Sequence, residues 1–147
     1  MRIHNHFCMN LKRAIGFAVA LYIISFIGFF VTLLLPGEHS LTEVPPLATF
    51  VVVWLIHIPV VLLLAKWYFR KVSATTKNGL LLGIVTIAVA LVLDGLSIAG
   101  TIAAGESIDT FKALYTDWKF YATVLEIILL TTYAGYEFDS TYTEKNV

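Results

Sequence analysis

The chain has 147 residues and no formal net charge, and 59% of its residues are hydrophobic while only 14% are charged. Soluble domains are nearer half apolar and a quarter charged, so this composition and a mean hydropathy of +0.83 indicate an integral membrane protein. The Lys and Arg residues are scattered at segment ends, which argues against nucleic-acid binding. The single cysteine, Cys8, excludes an intrachain disulfide.

The first residues leave two starts open, because Met9 is followed by an ordinary beginning, Asn-Leu-Lys-Arg, and could replace Met1. If the protein starts at Met1, the residues His4, His6 and Cys8 form a His-x-His-x-Cys sequence. At a chain terminus this sequence is only a weak indication of metal binding.

Four apolar stretches are each long enough, at about 20 residues, to cross a bilayer as helices. They cover residues 14–35, 47–67, 79–104 and 118–136. The first exceeds the apolar region of a signal peptide, about 7 to 15 residues, and is interpreted as an anchor that ends at Pro36-Gly37. None alternates as barrel strands do. The sequence predicts one all-α domain, residues 1–147, with four transmembrane helices in an up-down bundle.

The distribution of basic residues orients these spans. Eight of the ten Lys and Arg lie before the first span, between the second and third, or in the C-terminal tail: Arg2, Lys12, Arg13, Lys66, Arg70, Lys71, Lys77 and Lys145. The other two connections contain Lys112 and Lys119 together with several acidic residues. The positive-inside rule therefore predicts a protein of the plasma (inner) membrane with both termini in the cytoplasm and the lipid bilayer as its main partner.

The segment before the fourth span allows two interpretations. Within residues 106–118, Phe111, Leu114, Tyr115 and Trp118 fall on one helical face. The segment around 107–117 is either a separate interfacial helix or the protruding beginning of a fourth helix that starts at Asp109.

Three ionisable residues, His57, Asp94 and Glu126, lie deep within predicted spans. Each is about eight to ten residues from the outer end of its span, which is roughly 12 to 15 Å at the rise of an α-helix. Because they share this depth, a bundle can bring them together in its core. Charges near the bilayer centre are expensive, so these three residues are candidates for binding protons or ions.

Polar stripes on three spans support an inward position for these candidates. The third span has a continuous small and polar face of Gly83, Thr86, Ala90, Asp94, Ser97 and Thr101. Tyr22, Ser25 and Thr32 share a side of the first span, and Lys119, Thr123, Glu126 and Tyr133 share a side of the fourth. We single out Tyr22, Thr86, Ser97 and Thr123 as the polar residues that support the candidate site.

One stretch resembles a known group of proteins. "KWYFRKVSATTKNGLLLGIVTIAVALVLDGLSI" has an aromatic and basic run, a Thr-x-x-Gly turn and a Leu-Asp in the third span. It is similar to segments of small, uncharacterised four-helix integral membrane proteins of bacteria and archaea. The resemblance implies a fold and a membrane location, and it assigns no activity and no site residue.

Three functions compete. The first is a small permease or channel subunit, expected to form a homo-oligomer, that uses His57, Asp94 and Glu126 for protons or cations. The second is a structural or regulatory protein in which these residues only hold helices together. Independently of these functions, the GxxxG pair of Gly79 and Gly83 weakly indicates helix dimerisation.

The third is a membrane-embedded, metal-dependent enzyme. Two carboxylates and one histidine can bind a first-row metal, but their spacing specifies none, and no cofactor or substrate is predicted. We recognise no nucleophile–base pair, no H-E-x-x-H motif and no phosphate loop, so an enzyme is the least favoured of the three.

Overall fold

The computed structural model describes residues 10–33 and 44–138, and every regular element in these ranges is an α-helix. The helices are α1 (Leu11–Leu33), α2 (Leu47–Phe69), α3 (Thr76–Ala103), α4 (Asp109–Thr116) and α5 (Trp118–Glu137). The all-α prediction is confirmed. The histidines and cysteine before residue 10, the predicted stop at Pro36-Gly37 and the side chain of Thr32 lie outside the described residues.

Local capping explains where α3 and α5 begin and why α4 is separate. The Thr75 hydroxyl accepts a hydrogen bond from the Asn78 backbone N–H at 3.1 Å, which satisfies one of the free donors at the start of α3. Asp117 has an extended backbone and its carboxylate caps α5 by accepting from the Lys119 N–H at 2.9 Å. Because Asp117 interrupts the helix, α4 and α5 are two helices, and the alternative of one helix that starts at Asp109 is wrong.

Three helical segments are long and apolar enough to cross a membrane: Leu11–Phe29, Leu47–Phe69 and Thr76–Ala103. Their large apolar side chains point outward, as Leu55, Leu63, Val92 and Leu96 do with more than 60% of each exposed. An apolar surface of this kind fits lipid rather than water. The predicted fourth span coincides with α5, which is not among the three segments.

The long helices pack around a common interior, with α1 and α5 each lying against both α2 and α3. The Arg13 guanidinium near the start of α1 donates to the Trp67 carbonyl at 2.8 Å near the end of α2. The indole rings of Trp54 and Trp118 lie 6.4 Å apart, which places the starts of α2 and α5 together. Helix α1 is therefore antiparallel to α2, whereas α5 is parallel to α2.

Helices α3 and α5 meet at glycines. A Cβ added at Gly79 would collide with the Thr131 carbonyl oxygen and lie 2.9 Å from the Thr132 Cα, and one added at Gly135 would lie 2.9 Å from the Gly79 Cα. At Gly83 it would lie 3.1 Å from the Ile128 Cα. The GxxxG pair therefore brings two helices of one chain together, and this face is not free to form the dimer contact that the sequence suggested.

The packing is tightest at the end of the molecule where α1 begins, α2 ends and α3 begins, which we call the basic end. The largest fully buried side chains there include Phe17, Tyr68, Phe69 and Leu82. On α3 the buried residues are Gly79, Leu82, Gly83 and Thr86, and none follows Thr86. Beyond that point α3 is less tightly covered, and a cavity lies between the helices.

We expect Gly79→Ala to destabilise the protein by about 1 to 3 kcal/mol, because an added methyl group would push α5 away. The matched control is Gly95→Ala on the same helix, where an added Cβ meets nothing within 4 Å. The control should leave stability unchanged or raise it by about 0.5 to 1 kcal/mol, since alanine favours a helix. Unfolding in detergent measures both; equal stability of the two variants would contradict the close α3–α5 contact.

Candidate functional site

His57 and Glu126 form the ion-pair geometry at the centre of the candidate site. His57 is buried on α2, and its Nδ1 lies 3.1 Å from Glu126 Oε2 on α5. The other ring nitrogen, Nε2, lies 2.9 Å from the Ser25 hydroxyl oxygen on α1. The histidine therefore connects three helices through one ring.

The Ser25 contact determines how many protons the pair holds. When the one proton of the Ser25 hydroxyl goes to the Leu21 carbonyl at 2.7 Å, the tautomer that fits is the one in which His57 Nε2 donates to Ser25. One further proton then lies between Nδ1 and Glu126. In that tautomer the pair has no net charge.

The three side chains also follow the order of groups in serine hydrolases, with a hydroxyl on Nε2 and a carboxylate on Nδ1 of one imidazole ring. The Leu21 carbonyl, 2.7 Å from the Ser25 hydroxyl oxygen, competes with His57 for the one proton of that hydroxyl. The sequence analysis recognised no nucleophile–base pair, because Ser25 and His57 lie on different helices and their contact leaves no motif in the sequence.

The His57–Glu126 pair faces two different spaces. On one side His57 and Ser25 line a central cavity of about 180 Å³. On the other side Glu126, whose side chain is 18% exposed, lines a groove between α2 and α5. The other residues of that groove are Trp54, Ile58, Ala122, Leu125, Leu129 and Leu130. The pair therefore lies between the cavity, which His57 lines, and the groove, which Glu126 lines.

Asp94 forms a second polar centre with two tyrosines. The Tyr22 hydroxyl on α1 donates to Asp94 Oδ1 at 2.7 Å, and the Tyr115 hydroxyl on α4 donates to Oδ2 at 2.7 Å. Both carboxylate oxygens of Asp94 therefore accept a hydrogen bond from a phenol. Both Asp94 and Tyr22 line the central cavity, as do Ser25 and His57.

Tyr115 connects the short helix α4 to this centre. Burial, together with the hydrogen bond to Asp94, raises the pKa of the Tyr115 phenol well above its ordinary value. The phenol therefore stays protonated and acts as a donor near neutral pH. The sequence analysis placed Tyr115 on an interfacial face but did not connect it with Asp94, because a contact across the turn between α3 and α4 leaves no periodic signal.

The supporting residues predicted from the sequence divide into two groups. Tyr22, Thr86 and Thr123 line the central cavity, and the Thr123 hydroxyl also accepts from the Trp54 indole N–H at 2.8 Å. Ser97 is exposed and its hydroxyl donates to the Leu93 carbonyl at 3.1 Å, within its own helix. Ser97 does not line the cavity, but its side chain also contacts the Tyr22 hydroxyl, which donates to Asp94.

The three charged candidates do not form one cluster. His57 contacts Glu126, whereas neither hydrogen bonds nor ion pairs join Asp94 to either residue. In residues 10–33 and 44–138 no group of three His, Cys, Asp or Glu side chains is arranged to hold a metal ion. Asp94 and His57 instead line the same cavity. Any reaction or binding event that involves both residues therefore takes place there.

Comparisons with known proteins found no match that helps to interpret this site. No protein-family profile matches the chain, nor does any curated protein or solved structure. The similarity to small four-helix membrane proteins stays a prediction, and function must be argued from the site.

We expect Tyr115→Phe to release α4 from the long helices, because it removes a hydrogen bond to a charged group worth about 1.5 to 3 kcal/mol. Hydrogen exchange of residues 109–116 should become faster while exchange of α2 changes little. Tyr136→Phe is the matched control, since Tyr136 is 74% exposed. Unchanged exchange in α4 of the Tyr115 variant would show that other contacts hold this helix.

Proposed function

We propose that this chain crosses the bilayer four times, through α1, α2, α3 and α5, with both termini in the cytoplasm. The basic end carries Arg13, Lys66, Arg70, Lys71 and Lys77, and the opposite end carries Glu106, Asp109 and Asp117. The two lysines of that opposite end are neutralised, because Lys112 contacts Asp109 at 3.2 Å and Lys119 contacts Asp117 at 2.7 Å. This asymmetry supports a cytoplasmic basic end.

The length and contacts of α5 support its role as the fourth span. It has 20 residues, about the number that a bilayer core requires. Its start lies beside the start of α2, and its end meets the start of α3 at Gly79 and Gly135. A helix that runs alongside two apolar helices over this length shares their position in the membrane, and its polar residues Thr123 and Glu126 face protein partners.

For activity we propose a small proton- or cation-linked permease or channel subunit. The observation that carries this proposal is the His57–Glu126 pair, which holds one proton between a central cavity and a separate groove. Ionisable residues inside membrane helices commonly form proton and ion pathways. One chain of this size has few helices for a transport path, so we expect the active form to be a homo-oligomer.

Purified protein in liposomes tests this activity with a pH-sensitive dye inside and a potassium diffusion potential as the driving force. We expect wild-type protein to accelerate proton entry. Glu126→Gln and Asp94→Asn should slow it about tenfold or more, because groups that transfer protons commonly contribute factors of about 100 or more. Glu106→Gln, at an exposed position outside the helices, is the control and should keep the wild-type rate.

Proton entry no faster than in empty liposomes would contradict transport by the isolated chain. Equal slowing by the Glu106 control would show that surface charge, rather than the site, sets the rate.

Thermal stability in detergent separates this proposal from the alternative that the polar residues only hold the helices together. We expect Glu126→Gln and Asp94→Asn each to lose no more than about 1 kcal/mol. The glutamine amide can donate to a neutral His57, and the asparagine removes a buried charge while its oxygen and its NH₂ group can each hydrogen-bond one tyrosine hydroxyl. Functional charges are often kept at a cost in stability. If both variants are clearly less stable and transport is absent, the structural alternative replaces our proposal.

A further inference from the structure

Asp94 has no positive partner within the described part of the chain. The ion pairs His57–Glu126, Lys112–Asp109 and Lys119–Asp117 do not include Asp94. The two tyrosines that contact Asp94 donate hydrogen bonds to it but contribute no positive charge. A carboxylate this deep between apolar helices is costly unless a cation balances it.

The space beside Asp94 is large enough for a small organic molecule. The central cavity has a volume of about 180 Å³, and an apolar cavity of about 150 Å³ is known to hold benzene. Its walls are mainly apolar, with Leu21, Ile87, Val124 and Ile127 among them. The Asp94 carboxylate lies at one side of the cavity, and the remaining walls suit a hydrocarbon group.

Aromatic rings lie close to the carboxylate. Phe120 lines the cavity, and its ring centroid is 4.7 Å from that of Tyr115, whose hydroxyl donates to Asp94. Tyr22 lines the cavity from the opposite helix. Rings around a negative charge favour an organic cation, because the cation gains both the ion pair and attraction to the ring faces.

We propose that the central cavity binds a small organic ammonium ion, about as large as a benzene ring with one charged substituent, with its ammonium group on Asp94 and its apolar body against α3 and α5. This inference rests on the proposed function and names its substrate class. A carboxylate offers about four acceptor positions, so it can accept from an ammonium in addition to two phenols. A small inorganic cation fits poorly, since it needs several oxygen ligands to replace its water shell and the cavity walls are mostly apolar.

When the His57–Glu126 pair has no net charge, the cavity discriminates more strongly between positively and negatively charged ligands. His57 lines the same cavity, but as long as the pair holds its shared proton it adds no net charge there. Among the described residues that line the cavity, Asp94 is then the one acidic or basic group with a net charge, and it determines which ligands enter. An anion of the same size would be repelled, and a neutral molecule would gain only the apolar contacts.

Calorimetric titration of the purified protein in detergent tests this with three probes of similar shape: benzylammonium, benzyl alcohol and benzoate, each corrected for binding to empty micelles. We expect benzylammonium to bind with one site per chain. Benzyl alcohol should bind about tenfold or more weakly, because it lacks the charge-assisted bond, and benzoate should not bind.

Two pairs of variants locate the site. Asp94→Asn should weaken benzylammonium binding about tenfold or more and leave benzyl alcohol binding nearly unchanged, whereas Glu106→Gln should change neither. Ala90→Leu fills the cavity and should weaken both ligands, while Ala88→Leu, at an exposed position on the same helix, should weaken neither. Asp94→Asn and Glu106→Gln add no bulk, so they decide the matter if Ala90→Leu does not fold.

Binding of all three probes with similar affinity, or equal benzylammonium affinity of wild type and Asp94→Asn, would overturn the proposal. Competitive loss of binding in Na⁺ or K⁺ at equal ionic strength would also overturn it, in favour of an inorganic cation. The assay measures binding at equilibrium without any flux. Binding without proton entry into liposomes would therefore refute only the transport function, and proton entry without binding would refute only this inference.

Discussion

A bilayer core offers no water to polar groups, and this is the constraint on which the structure depends, because polar side chains between such helices are stabilised by partners inside the protein. The simplest solution is local: Thr86 and Thr131 donate to carbonyl oxygens one turn earlier in their own helices. Residues with more than one polar atom need other helices. His57 therefore reaches both α1 and α5, and Asp94 reaches both α1 and α4.

The glycine contact between α3 and α5 prepares the space in which these partners meet. Close approach at Gly79 and Gly135 fixes the two helices at the basic end, where Phe17, Tyr68 and Phe69 fill the interior. Farther along α3 the residues facing inward are smaller, as Ala90 shows, and they leave the central cavity open. Tight packing at one end and small side chains beyond it together place a cavity beside Asp94.

The two acidic residues that lie between the long helices, Glu126 and Asp94, have different surroundings in this arrangement. Glu126 shares a proton with His57 and forms a neutral pair at the boundary of two spaces. Asp94 keeps only phenol donors and no described counter-charge. In the function that we propose, the first would exchange protons and the second would attract a cation, at separate places around one cavity.

The sequence by itself determined the helical class and the bounds of the long helices to within a few residues, and it singled out His57, Asp94 and Glu126 as candidates, because apolar length and isolated charges are local properties of a chain. It could not determine which charges meet, since equal depth leaves the rotation and neighbours of each helix open. Only the tertiary structure paired His57 with Glu126 and brought Tyr22 and Tyr115 to Asp94. These outcomes depend on the glycine contact and the break at Asp117, which set how helices distant in sequence approach one another.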